Sequence, residues 1–384
     1  MAGGGAAAAG ADPGLLATEA VRRLAPYQPG KPISELEREL GIRDAAKLAS
    51  NENPYGPCAQ ALAAMRAAVD EAWLYPDGGA HELKAALARH TGAPASWITV
   101  GNGSNEILQL LAEAFLAPGL AGVCSQYGFA VYPIVIGATG AECVQVPALP
   151  AGDPMAHGHD LAAISAALDG RTRLAFIANP NNPTGTWLGV DALRAFIAAA
   201  PAHVIIVLDE AYLEYARVDG LGDAGDWVRE FPNLVVVRTL SKAYGLAGVR
   251  VGYCISHPGV ADALNRIRPA FNVGNVAQAG AVAALADQAH VARCAQATVR
   301  ERERMARDLR ALGLAVLPSA GNFLMVGFGG RAAAVHQGLL RAGVIVRPLG
   351  NYGLDRHLRI SVGLPAQTDR LLGALAPLLE DSTP

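Results

Sequence analysis

Residues 238–253 read RTLSKAYGLAGVRVGY, and the letter that matters most is the lysine at 242. Only four of the chain's 31 basic side chains are lysines: Lys31, Lys47, Lys84 and Lys242. A chain that otherwise uses arginine for positive charge has here placed a lysine inside a turn rich in Ser, Gly and Arg. Arginine serves wherever charge or bidentate pairing is wanted, whereas a lysine amine can lose its proton and attack a carbonyl. Lys242 is therefore a candidate nucleophile. Thr239, Ser241 and Arg250 in the same stretch add two hydroxyls and a guanidinium, which together make a phosphate cradle.

On either side of this turn, short β-branched runs alternate with Ala/Leu-rich helical stretches. Strands are predicted at 97–101, 122–126, 142–147, 173–179, 203–210, 233–240 and 250–256, with helices at 83–92 and 105–116 among them. That alternation predicts an α/β fold whose large, mostly parallel seven-stranded sheet is covered on both faces. Ligands in such sheets collect at the carboxyl ends of the strands. After about residue 270 the pattern changes. A long Ala-rich helical region at 276–312 precedes short strands in NFLMVGF, GVIVRPL and HLRISVG, which predicts a smaller α+β domain.

Three further stretches put polar groups at strand ends. GNGSNEILQLLAEAF (101–115) leaves a strand and opens a helix, so the N–H groups of Ser104 and Asn105 would point out of a helix N-terminus as an anion site. The plainer alternative is a tight turn with Ser104 or Asn105 as N-cap. ANPNNPTG (178–185) carries Asn182 in a sharp turn in which Pro180 and Pro183 allow cis peptides. VLDEAYLEY (207–215) ends an apolar run with Asp209, an expensive place for an unpaired charge, so a cationic partner is expected; the plainer alternative is a helix N-cap. Tyr212 follows one turn later.

Composition excludes several classes. A formal net charge of -3 gives no electrostatic case for nucleic acid or an anionic membrane. No run of 18 apolar residues suggests a transmembrane helix. The cysteines at 58, 124, 143, 254 and 294 are odd in number and form no C-x-x-C pair, as expected of free thiols in the cytoplasm. No metal-ligand spacing is visible, and His157 and His159, in a Gly/Pro-rich loop, are expected to face solvent. No G-x-G-x-x-G follows the first strand, which disfavours a Rossmann dehydrogenase. Neither end offers room or basic charge for a DNA-binding head of the kind a regulatory module would carry.

A phosphate cradle, a buried carboxylate, a phenol, an amide and a nucleophilic lysine, ordered along one sheet, match the needs of pyridoxal 5'-phosphate. Over about residues 20–378 the chain resembles the fold-type-I, class II pyridoxal-phosphate aminotransferases, and within them the histidinol-phosphate aminotransferases. SKAYGLAGVRVGY and NPNNPTG carry the superfamily likeness, while LASNENPYGP (48–57) points to the branch.

The resemblance implies that Lys242 forms the Schiff base and shuttles a proton, and that Asp209 keeps the pyridine nitrogen protonated. It implies that Asn182 and Tyr212 bond the ring's 3'-oxygen and that Tyr127 stacks on the ring face. Ser104, Asn105, Thr239, Ser241 and Arg250 would hold the cofactor phosphate. Tyr75 would reach the cofactor phosphate of a neighbouring subunit, which makes the active unit a homodimer. Arg347, Arg359 and Tyr27 would bind the substrate phosphate, with Asn53 near the amino-alcohol end. Position 105 is Asn where many relatives carry Asp.

The implied reaction interconverts L-histidinol phosphate and imidazole-acetol phosphate with 2-oxoglutarate and glutamate, in histidine biosynthesis. The implied organisation is a disordered tail (1–19), an N-terminal arm with part of the small domain (20–55), the large cofactor-binding domain (56–270) and the small domain (271–384). The rivals on this fold are an aromatic (phenylalanine) aminotransferase, because arginine binds a carboxylate as well as a phosphate, and a decarboxylase of a phosphorylated amino acid.

Overall fold

The computed structural model describes residues 12–380. Most of the expected tail, residues 1–11, lies outside the described residues. From residue 12 the chain is ordered into a 3-10 turn, Pro13–Leu16, in which Asp12 accepts from the Gly14 N–H, and a short helix, Glu19–Arg22.

The first strand, β1 (Ala46–Lys47), lies far from the large sheet and is met again below. The large sheet contains β2 (Ile98–Gly101), β3 (Ala121–Ser125), β4 (Glu142–Val146), β5 (Thr172–Ala178), β6 (Ile205–Asp209), β7 (Leu234–Thr239) and β8 (Gly252–Ile255). Its order is β2-β8-β7-β6-β5-β3-β4. β8 runs antiparallel to both neighbours, and every other pairing is parallel. All seven expected strands are present.

Both faces of the sheet are buried, as its continuous apolar strands require. Ile206, Leu208 and Val236 pack into one core, while Val207, Val235 and Val237 face a second core on the other side. The strand order reverses between β3 and β5, so the crevice at their carboxyl ends is the natural ligand position in an open α/β sheet.

The helical region 276–312 is two helices rather than one. Asn275–Ala286 stops at Asp287, whose carboxylate accepts from the His290 N–H at 3.0 Å and starts Gln288–Ala311. An acidic cap inside an Ala-rich run is enough to break it.

The smaller sheet is built from β9 (Ala315–Val316), β10 (Phe323–Gly327), β12 (Arg347–Pro348) and β13 (His357–Ser361), in the order β12-β13-β10-β9. The expected single strand GVIVRPL is split: β11 (Val344–Ile345) leaves this sheet and pairs in parallel with β1, while β12 pairs with β13. The β1–β11 pair ties the segment at 46–51 to the C-terminal sheet. No helix among the described residues is long and apolar enough to cross a membrane.

Candidate active site

A cleft opens where β5, β6 and β7 end, closed on its far side by β12, β13 and the stretch from Tyr27 to Gly30. Its walls bring together Tyr27, Ser104, Asn105, Asn182, Asp209, Tyr212, Thr239, Ser241, Lys242, Arg250, Arg347 and Arg359.

The floor carries two ionisable groups displaced toward neutrality. Asp209 ends β6 and is only 4% exposed. Burial lifts its carboxyl to about 6, against the hydrogen bond from Tyr132 and the N–H of Ala211. The cationic partner expected from sequence is missing, for Asp209 makes no ion pair among the described residues. Its contacts are the Tyr132 hydroxyl at 3.0 Å and the Ala211 N–H at 3.1 Å. Lys242 faces the cleft and donates to the Ser50 carbonyl at 3.3 Å. Burial first, and the Arg359 charge second, push its ammonium down to about 8, so a useful fraction is a free amine near neutral pH. Its Nζ lies 5.7 Å from the centre of the Tyr212 ring.

One end of the cleft is built for an anion. The helix Ser104–Phe115 starts from Gly103 with no side-chain cap, leaving its first N–H groups open to the cleft. Thr239 Oγ1 donates to Ser241 Oγ at 2.9 Å, and Arg250 Nη1 donates to the same Oγ at 3.0 Å. The helix start and β8 are in close contact. A Cβ on Gly252 would strike Ser104 N and the Gly103 carbonyl carbon, and one on Gly103 (φ +80°) would strike the Arg250 guanidinium. Neither position tolerates a side chain.

The opposite wall holds a second pair of cations. Arg347 and Arg359 are each 8% exposed and stand directly across from one another on β12 and β13. Arg359 donates to Asn182 Oδ1 at 2.5 Å and to the Ala49 carbonyl at 2.6 Å, and its Nε has no partner among the described residues. Arg347 donates to the Gln28 carbonyl and lies over the Tyr27 ring, 5.9 Å from its centre. Neither meets a carboxylate among the described residues.

Three expected site residues lie elsewhere. Asn53 is not in the wall: its amide donates to the Ala243 carbonyl at 2.8 Å and its Oδ1 accepts from the Tyr55 N–H, so it braces the loop that carries Lys242. Tyr127 is turned edge-on to His157, 5.3 Å away, among Met325, Leu349 and Leu354, while Phe129 lines the cleft. Tyr75 is 83% exposed and stacks on Phe271 at 4.7 Å, outside this chain's cleft.

Two residues absent from the sequence reading take part. Asn51, buried at φ +56°, donates from Nδ2 to the Tyr212 hydroxyl at 2.9 Å and accepts from the Ser361 hydroxyl at 2.7 Å. Its position in NENP, one of two Asn, was the available signal. Tyr132 is the other, and its only signal was membership of a run of aromatics. His159 also departs from expectation: it is buried rather than solvent-facing, its Nε2 is 3.0 Å from the Ala178 carbonyl at the end of β5, and burial pushes it down to about 4, so it stays neutral. Both Asn179–Pro180 and Asn182–Pro183 peptides are cis.

The residues present fit pyridoxal 5'-phosphate. A buried carboxylate without a cation suits a pyridinium nitrogen, the uncapped helix start with its hydroxyls and guanidinium suits a phosphate, and a lysine near neutrality suits an aldehyde.

The family described as aminotransferase class I and II matches over residues 43–375. The chain is 52% identical over 366 residues to histidinol-phosphate aminotransferase 2 of Pseudomonas fluorescens (strain Pf0-1), covering 95% of this chain and 97% of that one. It is 50% identical over 364 residues to histidinol-phosphate aminotransferase 2 of Methylococcus capsulatus, covering 95% and 98%. Among solved structures, the histidinol-phosphate aminotransferase from Sinorhizobium meliloti in complex with pyridoxal-5'-phosphate superposes with a TM-score of 0.86 at 34% identity, covering 95% and 98%.

Proposed function

Because this chain belongs to the class I and II aminotransferase family, we propose that its cleft holds pyridoxal 5'-phosphate and transfers an amino group between L-histidinol phosphate and 2-oxoglutarate. The observation that carries the substrate is the facing pair Arg347 and Arg359, buried without a carboxylate and bordered by Tyr27. Two guanidiniums and a phenol in one wall of the cleft fit a phosphate monoester. Arg359 can also take a carboxylate of the second substrate.

Bound pyridoxal 5'-phosphate supplies an aldehyde that exchanges amines and a protonated ring that draws electrons from the substrate's Cα–H bond. Asp209 holds the proton on the ring nitrogen. Ser104, Asn105, Thr239, Ser241 and Arg250 bind the cofactor phosphate at the uncapped helix start. Asn182 and Tyr212 take the 3'-oxygen, and the side chain that covers the ring comes from the Tyr127–Phe129 segment. Lys242 is the amine that would hold the aldehyde at rest. With the substrate amine in its place, Lys242 Nζ would be a free base, placed to take the proton from the substrate Cα and to hold it for return. The first half-reaction leaves imidazole-acetol phosphate. The second converts 2-oxoglutarate to glutamate, and histidine biosynthesis uses the pair in the opposite direction.

The active unit is a homodimer in this reading. Trp73, Leu74 and Tyr75 are 81%, 47% and 83% exposed, an apolar and aromatic surface that a partner subunit would cover. Tyr75 would then reach the partner's cofactor phosphate. Five free cysteines support a reducing, cytoplasmic location.

Borohydride reduction of the loaded enzyme followed by peptide mapping tests the assignment. The cofactor mass should appear on the peptide containing Lys242. Its appearance on Lys47 or Lys84 instead would sink the reading.

A further inference from the structure

We infer that Tyr132 is a positioning residue for this active site: its buried hydroxyl fixes the Asp209 carboxylate, and so the charge offered to the ring nitrogen. The inference rests on the cofactor reading above but concerns contacts within this chain.

Tyr132 lies in the helix Val131–Ala138 and is fully buried. Its ring stacks on Phe176 of β5 at 5.1 Å and meets Phe129 edge-on at 5.8 Å. Those two contacts fix the ring, and the ring aims the hydroxyl at Asp209 Oδ2, 3.0 Å away. Among the described residues, Asp209 is the hydroxyl's only hydrogen-bond partner. A phenol that far from water has no reason to be there unless its O–H is used, because a buried polar group left unpaired is costly. Leu or Phe would fill the same space.

The contact works in one direction. Asp209 Oδ1 is taken by the Ala211 N–H and Oδ2 by Tyr132, so the carboxylate plane is set from two sides before any ligand arrives. Both bonds favour the charged form, against burial, which favours the neutral acid. The other groups facing Asp209 are Lys242 across the cleft, which also favours its charge, and Glu210 and Tyr212, which do not. Glu210 is itself held by Arg238 at 2.8 Å, so its charge is largely spent. Tyr132 is thus the side chain that favours the Asp209 charge through a direct hydrogen bond. It also joins Asp209 to the substrate wall, because Phe129 lies between it and Tyr27.

The test is a carboxyl-carbon NMR titration of Asp209 in the full-length apoenzyme, with the resonance assigned by its loss in Asp209→Asn. In Tyr132→Phe the midpoint should rise by about 1–2 pH units, the amount expected for losing a hydrogen bond to a charged group. Affinity for pyridoxamine 5'-phosphate, which binds without a covalent bond to lysine, should weaken roughly tenfold. Phe176→Leu removes the stacking but keeps the hydroxyl, and its midpoint should stay near the wild-type value. An unmoved midpoint in Tyr132→Phe, or an equal rise in Phe176→Leu, overturns the inference. Should Tyr132→Phe not fold, 3-fluorotyrosine at position 132 replaces it: the more acidic phenol donates more strongly, so the midpoint should fall, and any other result is contrary. If Asp209→Asn leaves pyridoxamine 5'-phosphate binding intact while Tyr132→Phe moves the midpoint, the cofactor reading fails and the Tyr132 contact stands.

Discussion

Arg347 and Arg359 stand directly opposite each other on the antiparallel strands β12 and β13, with their guanidiniums in the same cleft and no ion-pair partner for either among the described residues. Like charges directly across a sheet are destabilising, and burial adds to that, working against the Arg359 charge. Such a pair is kept for an anion that the chain itself does not supply. Arg347→Ala is expected to raise KM for the phosphorylated substrate by roughly 10–100-fold, the loss of one or two charge-assisted hydrogen bonds, and KM for 2-oxoglutarate far less. Steady-state kinetics on both substrates check this. Equal effects on the two would move the phosphate site elsewhere.

Asp209 gives a prediction of opposite sign for stability and activity. Its folded-state value is raised from 3.8 to about 6, so between those values the folded state binds more protons than the unfolded chain. Stability contributed by this group is therefore present at low pH and is lost as pH rises through about 6, a loss of about 3 kcal/mol. The Asp209→Asn apoenzyme should melt at a higher temperature than wild type near neutral pH, while the loaded variant loses transamination by at least roughly a hundredfold. Melting curves of both apoproteins across acidic to neutral pH would show it. A variant less stable than wild type at neutral pH contradicts the burial argument.

Lys242 should reveal its depressed value in the rate of cofactor attachment. The amine attacks only when neutral, so attachment to the apoenzyme should accelerate as pH rises, with a midpoint near 8. A midpoint near the ordinary lysine value would mean that neither burial nor Arg359 acts on it. In Arg359→Gln the midpoint should move upward, because a repelling charge is gone.

Much of the site was legible because it rides on strands that were legible. β6 is a run of buried aliphatics ended by a carboxylate, so both the strand and the importance of Asp209 follow from one pattern. Lys242, Thr239, Ser241 and Arg250 come from one turn and remain together. The misses have a common cause: side-chain direction in irregular backbone is set by distant contacts. Asn51 and Asn53 are two residues apart in one loop, and only the left-handed backbone at Asn51, with Ser361 and Asn322 pairing to it, decides which faces the cleft. Phe129 and Tyr127 pose the same problem. Two-residue strands such as β1 and β9 are too short for any alternation to show, and β11 left its sheet for a partner some 300 positions earlier in the chain.

Asn51 links the arginine-bearing strand to Tyr212, and that link is separable from backbone strain. Asn51→Ala removes the amide and keeps a Cβ at φ +56°, whereas Asn51→Gly removes the amide and relieves the backbone. The alanine variant should be the less stable of the two by about 1 kcal/mol, as measured by denaturant unfolding. Both should lose affinity for the phosphorylated substrate, since Ser361 is two residues from Arg359.

Selection of a phosphorylated amino alcohol by this cleft is tested most directly by kcat/KM on the loaded enzyme. L-histidinol phosphate and L-phenylalanine would each be assayed with 2-oxoglutarate as acceptor. A preference for histidinol phosphate of roughly a hundredfold or more is expected, because a site with two buried cations rejects a substrate that leaves one of them unpaired. Comparable values, or a preference for phenylalanine, would mean that Arg347 and Arg359 serve a carboxylate, and would contradict the account.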